Sequence, residues 1–305
     1  MRIAVMGAGG VGGYFGARIA QAGHDVRFIA RGSHLDALRS RGLTLRSAAG
    51  DASLRVRAYE HAAEAGVVDV VLFAVKLWDT ESAAESLRLS VSRGGVVIPF
   101  QNGVESTARI GAVLAPSRVL GGAAYIFARI AEPGVIAHTG TLARLRFGAV
   151  LPEQQAAAEA FEALCRAAGL EAEHVADIER VLWEKFVLLV GLSSSSALTR
   201  QPVGVVRADP DMRGLLKELM REVWQLGRAR GVALADDFVE QQMRFVDTLA
   251  PQMKPSMLGD LEAGARLELP WLSGTVARMA REAGLAAPMN RAAYAALKPY
   301  AAGRA

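Results

Sequence analysis

The first sixteen residues, MRIAVMGAGGVGGYFG, constrain the fold more than any other stretch of the chain. Residues 2–6 are a short apolar run bounded by Gly7, the pattern of a buried strand. Gly7, Gly9 and Gly12 then form G-x-G-x-x-G, with Ala8, Gly10 and Val11 between them. The residues through Gln21 continue as a helix that stops at Gly23. In a strand–turn–helix the first glycine permits a tight turn and the second lets the backbone approach a pyrophosphate. The third lets the helix pack close to the strand, and the helix N-terminus then faces the diphosphate. The motif carries weight because it follows a strand pattern directly.

The rest of the composition narrows the possibilities. A chain of 305 residues suits two domains, and 51% hydrophobic with 22% charged residues belongs to a folded protein. The formal charge is +4, but the 35 Lys and Arg residues are scattered among 31 acids, which argues against a nucleic-acid-binding tract. No apolar run is expected to reach the ~18–20 residues of a membrane span. With a first strand starting at residue 2, no signal peptide is expected. Cys165 is the sole cysteine, so internal disulfides and a cysteine-based metal site are excluded and no metal is expected; a reducing cytoplasm fits.

After Gly23, residues 25–29 (DVRFI) read as a second strand. In NAD-binding folds an acid near the end of this strand bonds the ribose 2′-hydroxyl. Here Arg31 stands in that region, followed by Ser33. Arg31 can pair with a 2′-phosphate through its planar fork and Ser33 can donate to it, which points to NADP(H) over NAD(H). The alternative is a solvated arginine at a strand end, with Ser33 as the N-cap of a helix over 34–41. Residues 43–47 and 53–57 suggest a hairpin. Residues 67–75 (VVDVVLFAV) suit a central parallel strand, with Lys76 at its C-terminal end. Residues 95–100 are another buried strand, ending in Gln101-Asn102-Gly103. Ligands of open α/β sheets bind outside the carboxyl ends of strands, so Lys76 and Asn102 are candidate contacts. The runs 119–130 and 135–147 are expected to be antiparallel strands that extend the same sheet. A helix over 153–168 and a strand over 170–175 complete a dinucleotide-binding domain over 1–175.

Beyond residue 176 the strand signals end. Helical patterns cover 178–198, 209–230, 237–249, 257–263, 272–283 and 289–297. Asp209-Pro210 supplies a cap with proline in the first turn, and Ser256 is placed to cap the helix after it. The expectation is an α/β protein: a Rossmann-type N-terminal domain, then an all-α domain over 176–305 carrying substrate and catalytic residues. Lys185 stands out in VLWEKFVLLV, where nearly every neighbour is apolar. It either snorkels to the surface or is buried with a lowered pKa, which suits a general acid. Leu189 and Ser193, four and eight residues on, share its helical face.

Together these features resemble the ketopantoate reductases (2-dehydropantoate 2-reductases), within the 6-phosphogluconate-dehydrogenase-like superfamily. The matching pieces are GAGGVG at 7–12, FAVK at 73–76, QNG at 101–103, WEKF at 183–186, ALTRQPVG at 197–204 and SML at 256–258, with Glu268 twelve residues past the serine. The resemblance implies hydride transfer from NADPH to the carbonyl of a 2-oxo acid, ketopantoate above all, with Lys185 protonating the forming alkoxide. It implies that Asn102 and Lys76 lie near nicotinamide and substrate, that Ser256 and Ser193 contact substrate, and that Glu268 meets the cofactor ribose or nicotinamide end. It also implies that the backbone at Ala128 touches the cofactor. The chain departs from the family pattern at Leu189, Ser193 and Met253, where substrate-binding asparagines are expected. A reductase of the same build acting on a more apolar 2-oxo acid is therefore the alternative, and a non-catalytic NADPH-binding regulator a third. A homodimer through the helical domain accords with its apolar faces.

Overall fold

A computed structural model describes residues 1–304 as two compact units, Met1–Glu179 and the chain from Arg180 onward. In the first unit the apolar runs become the strands of a parallel sheet. β1 (Arg2–Met6) leads into α1 (Gly10–Gln21), β2 (Asp25–Ile29) and α2 (Gly32–Ser40). β3 (Leu43–Arg46), β4 (Ala52–Leu54) and β5 (Arg57–Tyr59) follow, then β6 (Val70–Phe73), α3 (Thr80–Ser86), β7 (Val96–Pro99) and α4 (Ser106–Leu114). β8 (Gly121–Glu132), β9 (Val135–Gly148), α5 (Gln155–Ala167) and β10 (Glu171–His174) complete the unit.

One sheet has the order β5-β2-β1-β6-β7, with every neighbour parallel. All four residues of β6 and of β7 are buried, as a strand covered on both faces requires. Because β1 lies between β2 and β6, the turn after it opens where the strand order reverses. Open α/β sheets bind ligands at such a point.

β8 and β9 pair antiparallel as their sequence implies, but they do not extend this sheet. They belong to a second one, ordered β10-β9-β3-β4 with β8 on β9. Val97 of β7 makes an isolated parallel bridge to Val119, two residues before β8. β9 instead takes β3 and β10 as parallel neighbours. The hairpin expected over 43–57 is also shorter: β3 and β4 pair, whereas β5 joins β2 in the first sheet. α2 begins at Gly32, so Ser33 lies inside its first turn and is not a cap.

The second unit is helical. It comprises all but the first two residues of α6 (Ile178–Thr199), then α7 (Val203–Ala208), α8 (Pro210–Ala229), α9 (Phe238–Thr248), α10 (Ser256–Ala263), α11 (Ser273–Glu282) and α12 (Pro288–Leu297). α8 starts on Asp209, whose Oδ1 accepts from the backbone N–H groups of Asp211 (3.0 Å) and Met212 (2.9 Å), with Pro210 as first residue. Ser256 makes no equivalent cap; Pro255 flanks α10 and Ser256 is its exposed first residue. Contrary to expectation, α6 is long and apolar enough to cross a membrane, with a mean hydropathy of 1.4 over 18 residues. However, 67% of that window is buried within the protein, the condition of a core helix.

The turn between β1 and α1 depends on missing side chains. Gly7 has φ +95°, which favours glycine, and a Cβ there would lie 2.8–2.9 Å from the backbone of Ala74 and Val75. A Cβ on Gly10 would stand 2.0 Å from the Ala128 carbonyl oxygen, and one on Gly12 2.3 Å from that of Gly7. These obstacles are backbone and cannot rotate aside. Gly10→Ala is therefore expected to destabilise the first unit by about 1–3 kcal/mol, the usual cost of overpacking, read as a lower midpoint in denaturant unfolding. A midpoint equal to wild type would contradict this packing.

Candidate functional site

A cavity of about 430 Å³ opens beside the glycine-rich turn. Met6, Gly7, Ala8 and Gly9 line it from the end of β1, Ile29, Ala30 and Arg31 from the end of β2, and Val75 and Asp79 from the segment after β6. The structure thus gathers Gly7, Ala8, Gly9 and Arg31 around one space. Gly10 and Ala128, 118 residues apart in sequence, are brought into backbone contact beside it.

Gly9 differs from its neighbours. A Cβ there would meet nothing within 4 Å, so the protein itself does not demand glycine at this position. The open space leaves room for a ligand to approach the backbone closely, which is the role of the second glycine in a dinucleotide turn. The turn also opens the twelve-residue α1, whose first N–H groups are available to an anion. The residues present therefore fit a dinucleotide diphosphate.

His34, which the sequence reading left without a role, braces this turn. Its Nε2 donates to the Ala8 carbonyl (2.9 Å) and its Nδ1 accepts from the Gly134 N–H (3.0 Å). That pairing requires the neutral ring protonated on Nε2, and burial holds the imidazole below its ordinary pKa. A polar residue one turn into the helix after β2 was the only signal available in the sequence.

At the carboxyl ends of β6 and β7, Lys76 is exposed and Asn102 half-buried. The Lys76 ammonium lies 5.6 Å from the Trp78 ring centroid, a cation–π distance. Buried Gln101, beside Asn102, donates to the Val75 carbonyl (2.9 Å) and to Thr80 Oγ1 (3.0 Å), which ties the two strand ends together. Arg31 does not stand alone in the cavity wall, because its Nη2 donates to Asp79 Oδ2 at 2.7 Å.

Within the second unit, half-buried Lys185 lies on α6 beside Val181, Trp183, Phe186 and Val187, all four of them buried. Burial lowers its ammonium to about 8, against the opposing pull of the Glu268 carboxylate. Lys185 and Glu268, 83 residues apart, are thus brought into electrostatic reach, and Glu268 is itself buried. Ser193 is completely buried on α6, with no hydrogen-bond partner for its Oγ among the described residues. Ser256 is exposed. Leu189, one turn past Lys185, and Met253 are half-buried. Among the described residues no group of three or more His, Cys, Asp or Glu could hold a metal ion.

Comparison with known proteins matches both parts of the chain. Residues 3–152 match the family model described as ketopantoate reductase PanE/ApbA, and residues 177–301 match its C-terminal counterpart. The chain is 31% identical to the uncharacterized oxidoreductase YkpB of Bacillus subtilis, over 99% of both chains. It is 32% identical to the 2-dehydropantoate 2-reductase of Archaeoglobus fulgidus, over 95% of this chain and 94% of that one. The crystal structure of 2-dehydropantoate 2-reductase from Geobacter metallireducens superposes with a TM-score of 0.91 at 31% identity, covering 98% of this chain and 99% of that one.

The open space at Gly9 makes a direct test of the dinucleotide turn. Gly9→Ala is expected to unfold at the wild-type midpoint while its Kd for a nicotinamide dinucleotide, read by fluorescence titration, rises at least about tenfold through the lost close approach. Unchanged affinity would mean that no ligand backbone lies against Gly9.

Proposed function

Since the chain belongs to the ketopantoate reductase family of oxidoreductases, we propose that it reduces a 2-oxo acid to the 2-hydroxy acid with NADPH, with ketopantoate giving pantoate as the leading substrate. The observation that carries this reading is Lys185, an ammonium lowered to about 8 in an apolar helix and steadied by Glu268. An acid with a pKa near the working pH can hold its proton until oxygen becomes basic and then release it.

Bound NADPH supplies the hydride. The chain's part is to hold the reactants and manage one proton. In this reading Gly7, Ala8, Gly9, Gly10, Val11 and Gly12 take the diphosphate and Arg31 the 2′-phosphate, while Ala128 meets the cofactor through its backbone. Lys76 and Asn102, at the strand ends, serve the nicotinamide end and the substrate. Ser193 and Ser256 are assigned to the substrate. Lys185 Nζ stabilises negative charge developing on the substrate oxygen, then transfers its proton there and becomes a neutral amine. Glu268 is assigned to the nicotinamide end and also favours the protonated lysine. The proposal includes a cytoplasmic protein and a homodimer through the helical unit, where Val205 and Phe245 are exposed.

Leu189 favours a second reading, a more apolar 2-oxo acid. It lies one helical turn from Lys185 and offers no hydrogen-bond donor or acceptor. A substrate hydroxyl buried against it would lack a partner, at a cost of about 1–3 kcal/mol, or roughly 5- to 150-fold in kcat/KM. Met253 has the same effect. A panel of 2-oxo acids with NADPH oxidation as readout decides: ketopantoate gives the highest kcat/KM in the first reading, and an alkyl or aryl 2-oxo acid does so in the second.

Lys185→Ala is expected to lower kcat by about 10²–10⁴-fold with the NADPH Kd unchanged. Full turnover in this variant would remove Lys185 as the acid. The pH dependence has a definite sign. The ammonium is charged below about 8 and loses its proton above it, so kcat for reduction falls as pH rises through that value. Glu268 raises the lysine pKa, so Glu268→Gln should move this fall to lower pH; a shift to higher pH would reverse the assigned coupling.

A further inference from the structure

We propose that Asp79 is a specificity-determining residue: it competes with the cofactor 2′-phosphate for Arg31 and so limits the preference for NADPH over NADH. This rests on the proposal that Arg31 receives the 2′-phosphate. Both residues line the cavity beside the glycine-rich turn, and Arg31 Nη2 donates to Asp79 Oδ2 at 2.7 Å. The partners differ in freedom. The Arg31 side chain is 71% exposed and is carried on the residue that precedes α2. The Asp79 side chain is 26% exposed, and its backbone is fixed on both sides of the peptide unit. Its N–H donates to the Lys76 carbonyl (2.9 Å) and its carbonyl accepts from Ser82 Oγ (3.1 Å). The guanidinium is therefore the partner that moves, and it can face either a fixed carboxylate or an incoming phosphate.

The rest of the cavity wall does not offset Asp79. Glu60 is the other carboxylate that lines the space, and Arg31 is the only Lys or Arg among its lining residues. A 2′-phosphate thus gains one guanidinium but must draw it away from Asp79 and lie near that carboxylate. A 2′-hydroxyl carries no charge and leaves the Arg31–Asp79 pair intact. Asp79 consequently weakens binding of the phosphorylated cofactor selectively. An exposed pair of this kind is worth little in isolation, but a dianion placed beside its carboxylate adds like-charge repulsion.

The test is the Kd of NADPH and of NADH for the full-length protein, wild type and Asp79→Asn, at fixed ionic strength. Asparagine keeps the shape and removes the charge. NADPH binding is expected to tighten by about three- to tenfold, with NADH unchanged within about twofold. NADPH affinity that is unchanged or weaker overturns the proposal, as does equal tightening of both cofactors. Asp79→Ala, with the unfolding midpoint of both variants, separates loss of charge from loss of fold and should tighten NADPH in the same sense. Arg31→Gln distinguishes the two levels. If it weakens NADPH while Asp79→Asn has no effect, the phosphate assignment stands and the competition falls. If it leaves NADPH unchanged, the phosphate assignment itself falls.

Discussion

The first unit depends on how closely its glycine-rich turn is enclosed by main chain. Around Gly7, Gly10 and Gly12 the nearest atoms include backbone of residues 74 and 75, of Ala128, and of Gly7 itself. Backbone cannot change rotamer, so these contacts fix the start of α1 with little freedom to adjust. His34 adds a buried polar brace, joining the Ala8 carbonyl to the Gly134 N–H between β8 and β9. Both sheets therefore hold the turn. Its free N–H groups are oriented before any ligand arrives, which lowers the ordering cost of binding.

The second unit is built around a different constraint. α6 is apolar on nearly every face, and small residues let its neighbours come close. A Cβ on Gly191 would lie 2.5 Å from Met220 Cγ, and Ser193–Ser196 are all completely buried. Ser194 Oγ bonds Ser273 Oγ at 2.6 Å, and Ser195 Oγ donates to the Gly191 carbonyl at 2.7 Å. Two of the serines thus satisfy themselves within the packing, while the Oγ atoms of Ser193 and Ser196 have no partner among the described residues. Lys185 is exceptional in the same helix. A cation in these surroundings is destabilised as an ion unless a carboxylate is near, and Glu268 supplies one from beyond α10. The same burial that makes the lysine a weak base makes it a usable acid.

Local chemistry was read well from sequence, and nonlocal pairing was not. The β1–turn–α1 unit, the apolar β6 and β7, and the Asp209 cap are each written in a few adjacent residues. Lys185 stands out for a related reason: a charge in an apolar helical run is visible without knowing its neighbours, though the run alone does not say whether the ammonium is buried. β8 and β9 show where such reading stops. Their alternation and the Glu132-Pro133-Gly134 turn announce an antiparallel pair, yet nothing in them specifies that β9 will take β3 and β10 as partners. Ser33 and Ser256 do not act as caps because the helices start earlier than expected, two residues early at Gly32 and one residue early at Ser256 itself. A helix boundary is decided by the hydrogen bonds of its first turn, which side-chain preference influences only weakly.

Arg31 joins these two lessons. The rule that an acid at the end of the second strand selects NAD, and a base NADP, treats that residue as if it faced the cofactor alone. Asp79, 48 positions later and on another element, faces the same guanidinium. Cofactor preference is a difference between two binding free energies, and a carboxylate on the far wall of the cavity enters one of them only. In our proposal Arg31, at the strand end, sets the sign of that preference. Its size is set by what the fold brings opposite, and here the fold brings an opposing charge.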